Sequence, residues 1–240
     1  MKFHTIPWLC LGAALLLQSC VSPQPHLNQL TRSEQREGWR LLFDGQSLDG
    51  WRNYKEAEAP KEGWIVENGC LKLVQDSRPG DLVTVEKFDD FELIWEWRIS
   101  PGGNNGIKYL VSEERGAPGP EYQMIDDSTQ KSVKHQTASL YDILPPASDK
   151  RLNPPGEWNH SRVIVLGKNV EHWLNGKKVL AYELETSELQ AAIAESKFQK
   201  ETTFGRKISG HIMLTDHKDE VWYRNMKIRS RQAHLFAEIE

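Results

Sequence analysis

A chain of 240 residues is long enough for one domain with a sizeable core and too short for two large ones. Hydrophobic residues at 38% and charged residues at 27%, with 17 Gly, 12 Pro and 9 Trp, exclude a disordered or collagenous chain and indicate a turn-rich globule. Thirty Lys and Arg against 34 Asp and Glu give a formal charge of -4 without a long basic run, which argues against nucleic acid as a partner.

The first twenty residues read as an address and not as fold. Lys2 precedes an apolar stretch from Ile6 to Leu17, which is shorter than the ~20 residues a permanent membrane span needs and suits an export signal. Leu17-Gln18-Ser19-Cys20 resembles a bacterial lipobox, with Gln18 off the pattern, and implies cleavage before Cys20 and lipidation of its thiol. An ordinary signal cleaved near Ser19, with Cys20 a bystander, is the alternative. The expected organisation is a signal peptide over 1–19, anchor and linker over 20–37, one domain over 38–230 and a tail over 231–240. The expected location is the cell envelope, lipid-anchored, at the outer membrane facing periplasm or exterior, since Val21-Ser22 after the anchor lacks an Asp that would favour retention at the inner membrane. With Cys10 in the signal and Cys20 in the anchor, Cys70 is left alone, a buried thiol with no disulfide partner.

The linker composition of Val21 to Glu37 includes Pro23 and Pro25 and leaves room for a helical turn near Arg32 to Arg36. From Gly38 onward short β-type runs alternate with Gly, Asn, Asp and Pro. Trp64 to Val74 reads as a hairpin about Asn68-Gly69, and Val170 to Leu180 as another about Asn175-Gly176, preceded by the strand Val163 to Leu166. Further strands are expected over Leu82–Val85, Phe91–Ile99, Gly106–Val111, Tyr122–Ile125, His211–Leu214 and Val221–Ile228. In Phe91–Ile99 the alternation of Phe91, Leu93, Trp95, Trp97 and Ile99 marks one buried face. Only Ser187 to Lys200 has helical composition, so the pattern lacks the helices of a βαβ fold and points to two packed antiparallel sheets, an all-β sandwich.

Candidate chemistry lies on strand ends and loops after Pro101. Strand alternation puts Glu121 and Gln123 on one face with Tyr122 and Met124 in the core, and sets Asp126 apart unless the strand bends. Asp216-His217 reads either as a hydrogen-bonded acid–base pair or as a turn aspartate beside an exposed histidine. His135 reads as a surface histidine and His172 as structural. Asn104-Asn105-Gly106 is turn chemistry that also suits hydroxyl recognition. Tyr141, Trp158 and Arg224 are compatible with sugar hydroxyls and ring faces. Asp81, Asp126, Asp127, Asp216 and Asp219 could supply oxygens to a divalent cation, though no metal-binding spacing is present. No G-x-S-x-G elbow, P-loop or dinucleotide fingerprint occurs.

Taken together, Leu42–Trp51, Asp90–Leu93, Asn104–Ile107, Glu121–Asp126, Gly156–Asn159, His172–Gly176, Gly210–His217 and Val221–Asn225 resemble the 3-keto-disaccharide hydrolase domain family over about Gly38 to Arg229. The resemblance implies a concanavalin A-like jelly-roll sandwich and a hydrolase of small oxidised sugars, 3-keto-disaccharides or 3-keto-glycosides. The chain departs from the family at Leu110, where an arginine is expected, and at Thr215 and Lys218, where glutamine and glycine are expected. On this reading Glu121, His217 and Asp126 are the catalytic candidates, and Asn105, Gln123, Tyr141, Trp158, Asp216 and Arg224 bind substrate. Two routes remain open. A 3-keto group acidifies the C2 proton and allows elimination followed by hydration, with Glu121 or His217 as base and the other as acid; two carboxylates could instead assist direct displacement. A noncatalytic, lectin-like lipoprotein is the alternative from another class.

Overall fold

The computed structural model of the chain describes residues 27–115 and 119–231. The expected signal peptide, the lipidation site Cys20 and nearly all of the tail lie outside them. Thirteen strands form two antiparallel sheets, joined by two short helices. The strands are β1 Arg40–Leu41, β2 Trp51–Asn53, β3 Trp64–Glu67, β4 Cys70–Leu73, β5 Leu82–Thr84, β6 Phe91–Ile99, β7 Asn104–Val111, β8 Glu121–Ile125, β9 Asn159–Leu166, β10 Asn169–Leu174, β11 Lys177–Glu183, β12 His211–Leu214 and β13 Val221–Ser230. The larger sheet runs β11-β10-β9-β6-β13-β4-β3, with β1 paired to β13, and the smaller runs β2-β5-β12-β7-β8. The chain crosses repeatedly between them, from β4 to β5, β5 to β6 and β6 to β7, which gives the two-sheet sandwich expected from the strand grammar, with the jelly-roll connectivity that the resemblance implies.

Local sequence accounts for the turns. Asn68 (φ 52°) and Gly69 (φ 72°) both take left-handed backbone, as a two-residue hairpin between β3 and β4 requires, and Asn175 and Gly176 repeat the arrangement between β10 and β11. Along β6, Phe91, Leu93, Trp95, Trp97 and Ile99 are all buried. A fully buried aromatic is worth a few kcal/mol only if its polar atom finds a partner. Trp97 Nε1 and the Tyr122 hydroxyl each meet Ser161 Oγ at 2.8 Å.

Three expectations are revised. Residues 27–37 are not a free linker. Helix α1, Arg32–Arg36, is capped by Thr31, and Asn28 is clasped to the fold: its Nδ2 donates to Gly69 O at 2.8 Å and its N–H to Asn225 Oδ1 at 2.7 Å. Helix α2 is only Ser187–Ala194, because the Ser196 hydroxyl bonds back to Ile193 O and ends it. At position 110 the apolar residue has a structural reason: Tyr109 and Leu110 both stand opposite Ile212 in a bulge, and Leu110 is fully buried with φ 51°.

Candidate active site

Alternation along β7 and β8 separates two rows of side chains. Asn105, Ile107 and Tyr109 with Tyr122 and Met124 face the core. Asn104, Gly106, Lys108, Glu121 and Gln123 therefore stand on the outer face of the smaller sheet, with Lys108 directly opposite Glu121 and Gly106 opposite Gln123.

Glu121 is the centre of this group. Its side chain is 7% exposed, and its carboxylate accepts no hydrogen bond from any described residue; the nearest cation is Lys108, Nζ to Oε2 3.9 Å. A shielded carboxylate with no hydrogen bond from the described residues and one loosely placed ammonium adds little to the fold, so stability does not explain it. Gly106 makes the placement possible, since a Cβ there would lie 2.2 Å from Glu121 Oε1. Beside it, Gln123 donates to Asn104 Oδ1 at 2.9 Å, while its own Oε1 is buried without a partner.

A loop supplies the rim. Tyr141 N–H donates to Glu121 O at 3.1 Å, which brings the phenol to the site. Burial first, then the Glu121 and Asp142 charges, push the phenol above its ordinary value, so it stays a protonated donor. The His135 ring stacks on Tyr141 with centroids 4.9 Å apart, and Lys197 Nζ lies 4.2 Å from the Tyr141 ring centroid. His135 Nε2 is 2.7 Å from Asp142 Oδ1, and Asp142 Oδ2 accepts the Lys197 N–H at 2.7 Å. Burial opposes the Asp142 charge, but the Lys197 N–H, His135 and the Lys197 ammonium outweigh it and hold the carboxyl below the usual carboxylate range. Desolvation lowers the Lys197 ammonium; Glu121 and Asp142 offset part of this, and the like charge of Lys108 adds to it.

Several expected members lie elsewhere. Asn105 points into the core, donating to Thr215 O at 2.7 Å and accepting from Gly106 N–H and the Tyr223 hydroxyl, so it braces the strand behind Gly106. Asp126 caps a turn, accepting from Ser128 and from Gly102 N–H, and these bonds hold its carboxyl low. Asp216 accepts from Gly80 N–H and Lys218 N–H, and His217 is exposed without a side-chain partner among the described residues; of the two readings, the turn aspartate beside an exposed histidine is the one formed. Trp158 and Arg224 occupy the outer face of the larger sheet, on the far side of the sandwich from Glu121. There the Arg224 guanidinium lies 3.8 Å from the Trp158 ring centroid and its Nε donates to Glu96 at 2.6 Å. Of the expected residues, Glu121, Gln123 and Tyr141 come together, joined by Lys108; Asp126 is a turn cap, Arg224 lies on the opposite face, and His217 makes no hydrogen bond or ion pair with the Glu121 group among the described residues.

The candidate cation ligands are also dispersed among structural roles. Asp81 accepts Asp216 N–H, Asp219 accepts Asn104 N–H, and Asp127 pairs with Lys150 at 2.7 Å. Among the described residues, no three His, Cys, Asp or Glu side chains converge as a metal-binding group. A cleft at one mouth of the sandwich, lined by Trp97, Ile125, Asp126, Asp127, Asn153 and Asn159, has both of its aspartates engaged in this way.

Residues 38–229 match the family described as the 3-keto-alpha-glucoside-1,2-lyase-like domain. A relative from Bacteroides thetaiotaomicron, described as a 3-keto-disaccharide hydrolase, is 33% identical over 229 residues, spanning 80% of this chain and 78% of that protein. A crystal structure of a candidate glycosyl hydrolase from Parabacteroides distasonis superposes with a TM-score of 0.78 at 33% identity, covering 86% of this chain and all (100%) of that one. A second such protein from that organism, 23% identical with a TM-score of 0.61 over 80% of this chain and 99% of its own, shares the fold.

Proposed function

The chain belongs to the 3-keto-alpha-glucoside-1,2-lyase-like family, and from that premise we propose that it is a glycoside hydrolase that cleaves 3-keto-disaccharides or 3-keto-glycosides by elimination and hydration, with Glu121 as the base. The observation that carries the assignment is the Glu121 carboxylate itself, shielded, free of hydrogen bonds from described residues and opposed by Lys108 at 3.9 Å. The C3 ketone makes the C2 proton acidic, and a carboxylate not tied up by the protein is free to remove it. Negative charge then develops on the ketone oxygen. Lys108 and the protonated Tyr141 hydroxyl are the groups beside Glu121 suited to stabilise it, in the manner of an oxyanion hole. Departure of the C1 oxygen leaves a C1–C2 double bond, and addition of water across it completes a net hydrolysis. Gln123 and Asn104 supply amides for sugar hydroxyls on the same face. The protein is proposed to work in the cell envelope, tethered through a lipid on Cys20, which a Cys20→Ala fractionation tests.

The experiment compares 3-keto-trehalose and 3-keto-lactose with their unoxidised parents, following sugar release by the purified protein and its Glu121→Gln variant, with and without chelator. Cleavage of the keto forms alone, reduced about 10²-fold or more by Glu121→Gln, is expected. Binding of these sugars without turnover by the wild type would make the protein a carbohydrate-binding module instead. Equal cleavage of oxidised and unoxidised forms would exclude the elimination route.

A further inference from the structure

Elimination needs a proton donor for the departing oxygen as well as a base, because a sugar alkoxide is a poor leaving group. The donors beside Glu121 are poorly suited: Lys108, 3.9 Å from the carboxylate, and Tyr141, whose phenol feels its charge, would be occupied by the ketone oxygen in the function proposed above. The rim holds a different kind of group. His135 Nε2 is fixed at 2.7 Å by Asp142 Oδ1, and Nδ1 has no hydrogen-bond partner among the described residues. Its side chain is 32% exposed, so a ligand can reach the ring. The orientation is over-determined. The ring stacks on Tyr141, whose backbone is bonded to that of Glu121. Asp142 sits at φ 65° and is held on a second side by the Lys197 N–H. An ionised carboxylate can only accept, so Nε2 carries hydrogen and Nδ1 is the nitrogen that exchanges a proton with anything bound. An imidazole with one nitrogen held by a carboxylate and the other open is the arrangement used for acid–base catalysis on unrelated folds.

Resting on the function proposed above, we propose that His135, oriented by Asp142, is the proton donor to the departing glycosidic oxygen. In the elimination, Glu121 takes the C2 proton and the C2–H electron pair becomes the C1–C2 double bond. The C1–O pair leaves with the oxygen, which receives the Nδ1 proton of the His135 imidazolium. His135 is then neutral, and the same nitrogen can accept a proton from the water that adds at C1 while C2 is reprotonated from Glu121. Both groups return to their starting states, with one water consumed per bond broken. The charged groups beside the ring are Asp142, bonded to Nε2, and Lys197, which shares the Tyr141 face.

The test is leaving-group dependence, which a merely structural role would not alter. Nitrophenolate departs without protonation, whereas a sugar alcohol does not. With 3-keto-trehalose, His135→Gln is expected to lower kcat/KM by about 10²–10⁴-fold, and with 4-nitrophenyl 3-keto-glucoside by no more than a few-fold. Asp142→Asn is expected to show the same selectivity with a smaller loss, and Glu121→Gln to lose activity on both substrates alike. A series of aryl leaving groups on the wild-type protein gives the answer without a variant, a shallow dependence on the aglycone acidity supporting the assignment and a steep one overturning it. Equal loss on both substrates by a folded His135→Gln, or no loss on either, overturns the role of His135 alone. Failure of the wild type to cleave either keto-glycoside overturns the function and this role together.

Discussion

Gly106 decides where the Glu121 carboxylate lies, and its effect can be separated from folding. Its backbone does not require glycine, since φ is not positive there, but a Cβ would come within 2.2 Å of Glu121 Oε1. Gly106→Ala should therefore fold and displace the carboxylate by about an ångström, costing on the order of 10²-fold in kcat/KM. Unaltered circular dichroism with that loss is the expected result, and full activity would show that the carboxylate position is unimportant. Gly210 is the contrasting case, because a Cβ there would strike the Leu110 backbone at 2.4 Å. At this scale the pairing of Glu121 with Gln123 was legible because strand alternation has a strict period of two. Lys108 was missed, because its place opposite Glu121 follows from the register of β7 against β8, which alternation within one strand does not set. His135 and Asp142 were not, since they meet through a loop seven residues apart that has no periodicity to read. Arg224 and Trp158 misled for a related reason: composition shows that aromatic and basic groups exist, and only sheet pairing shows which face they occupy.

Among the elements, the strands were the most legible part, with Phe91–Ile99 and His211–Leu214 bounded as expected, because short runs between turn residues carry both period and limits. What composition could not show was docking of apparently polar segments. Residues 27–37 look like linker, yet Asn28 exchanges hydrogen bonds with Asn225, and Lys227 and Arg229 pair with Glu34 and Glu37. The segment following α2 is likewise shaped by Asp142, which takes the Lys197 N–H. This bears on the proposed anchor. With Asn28 clasped, residues 21–27 connect a lipid on Cys20 to the docked segment, a contour of about 25 Å by the ~3.3–3.6 Å reach of an extended residue. Cys20→Ala should move the protein from the membrane to the soluble fraction in its native host while leaving turnover of a soluble 3-keto-sugar unchanged. Retention in the membrane fraction would remove the lipid anchor from the picture.

For the whole molecule, the two sheets are joined by a directional hydrogen-bond chain that carries a pH signature. His172 on β10 is fully buried, and its Nδ1 lies 3.0 Å from Ala138 O. A carbonyl only accepts, so Nδ1 carries the hydrogen and Nε2 accepts from the Tyr109 hydroxyl at 2.7 Å, which in turn accepts from Tyr182. The chain thus spans from β11 through the core to the segment that delivers Tyr141. Burial pushes the His172 imidazole down from 6.5 to about 4, with the Ala138 bond opposing. The unfolded chain binds a proton near the ordinary value and the folded chain does not, so stability is fully present above pH ~6.5 and is lost as the pH falls toward 4. The difference corresponds to about 3 kcal/mol. His211, also lowered by burial, adds to the slope, and carboxylates such as Glu113, held at about 2 by Arg52, lose their contribution at lower pH. Comparison with His172→Gln isolates the effect. Denaturant unfolding at pH 7 and pH 4 should show the wild type losing about 3 kcal/mol more than the variant over that interval, whatever the variant's starting stability. Parallel losses would mean that His172 is already charged in the folded protein, and the hydrogen-bond direction through Tyr109 and Tyr182 would have to be reversed.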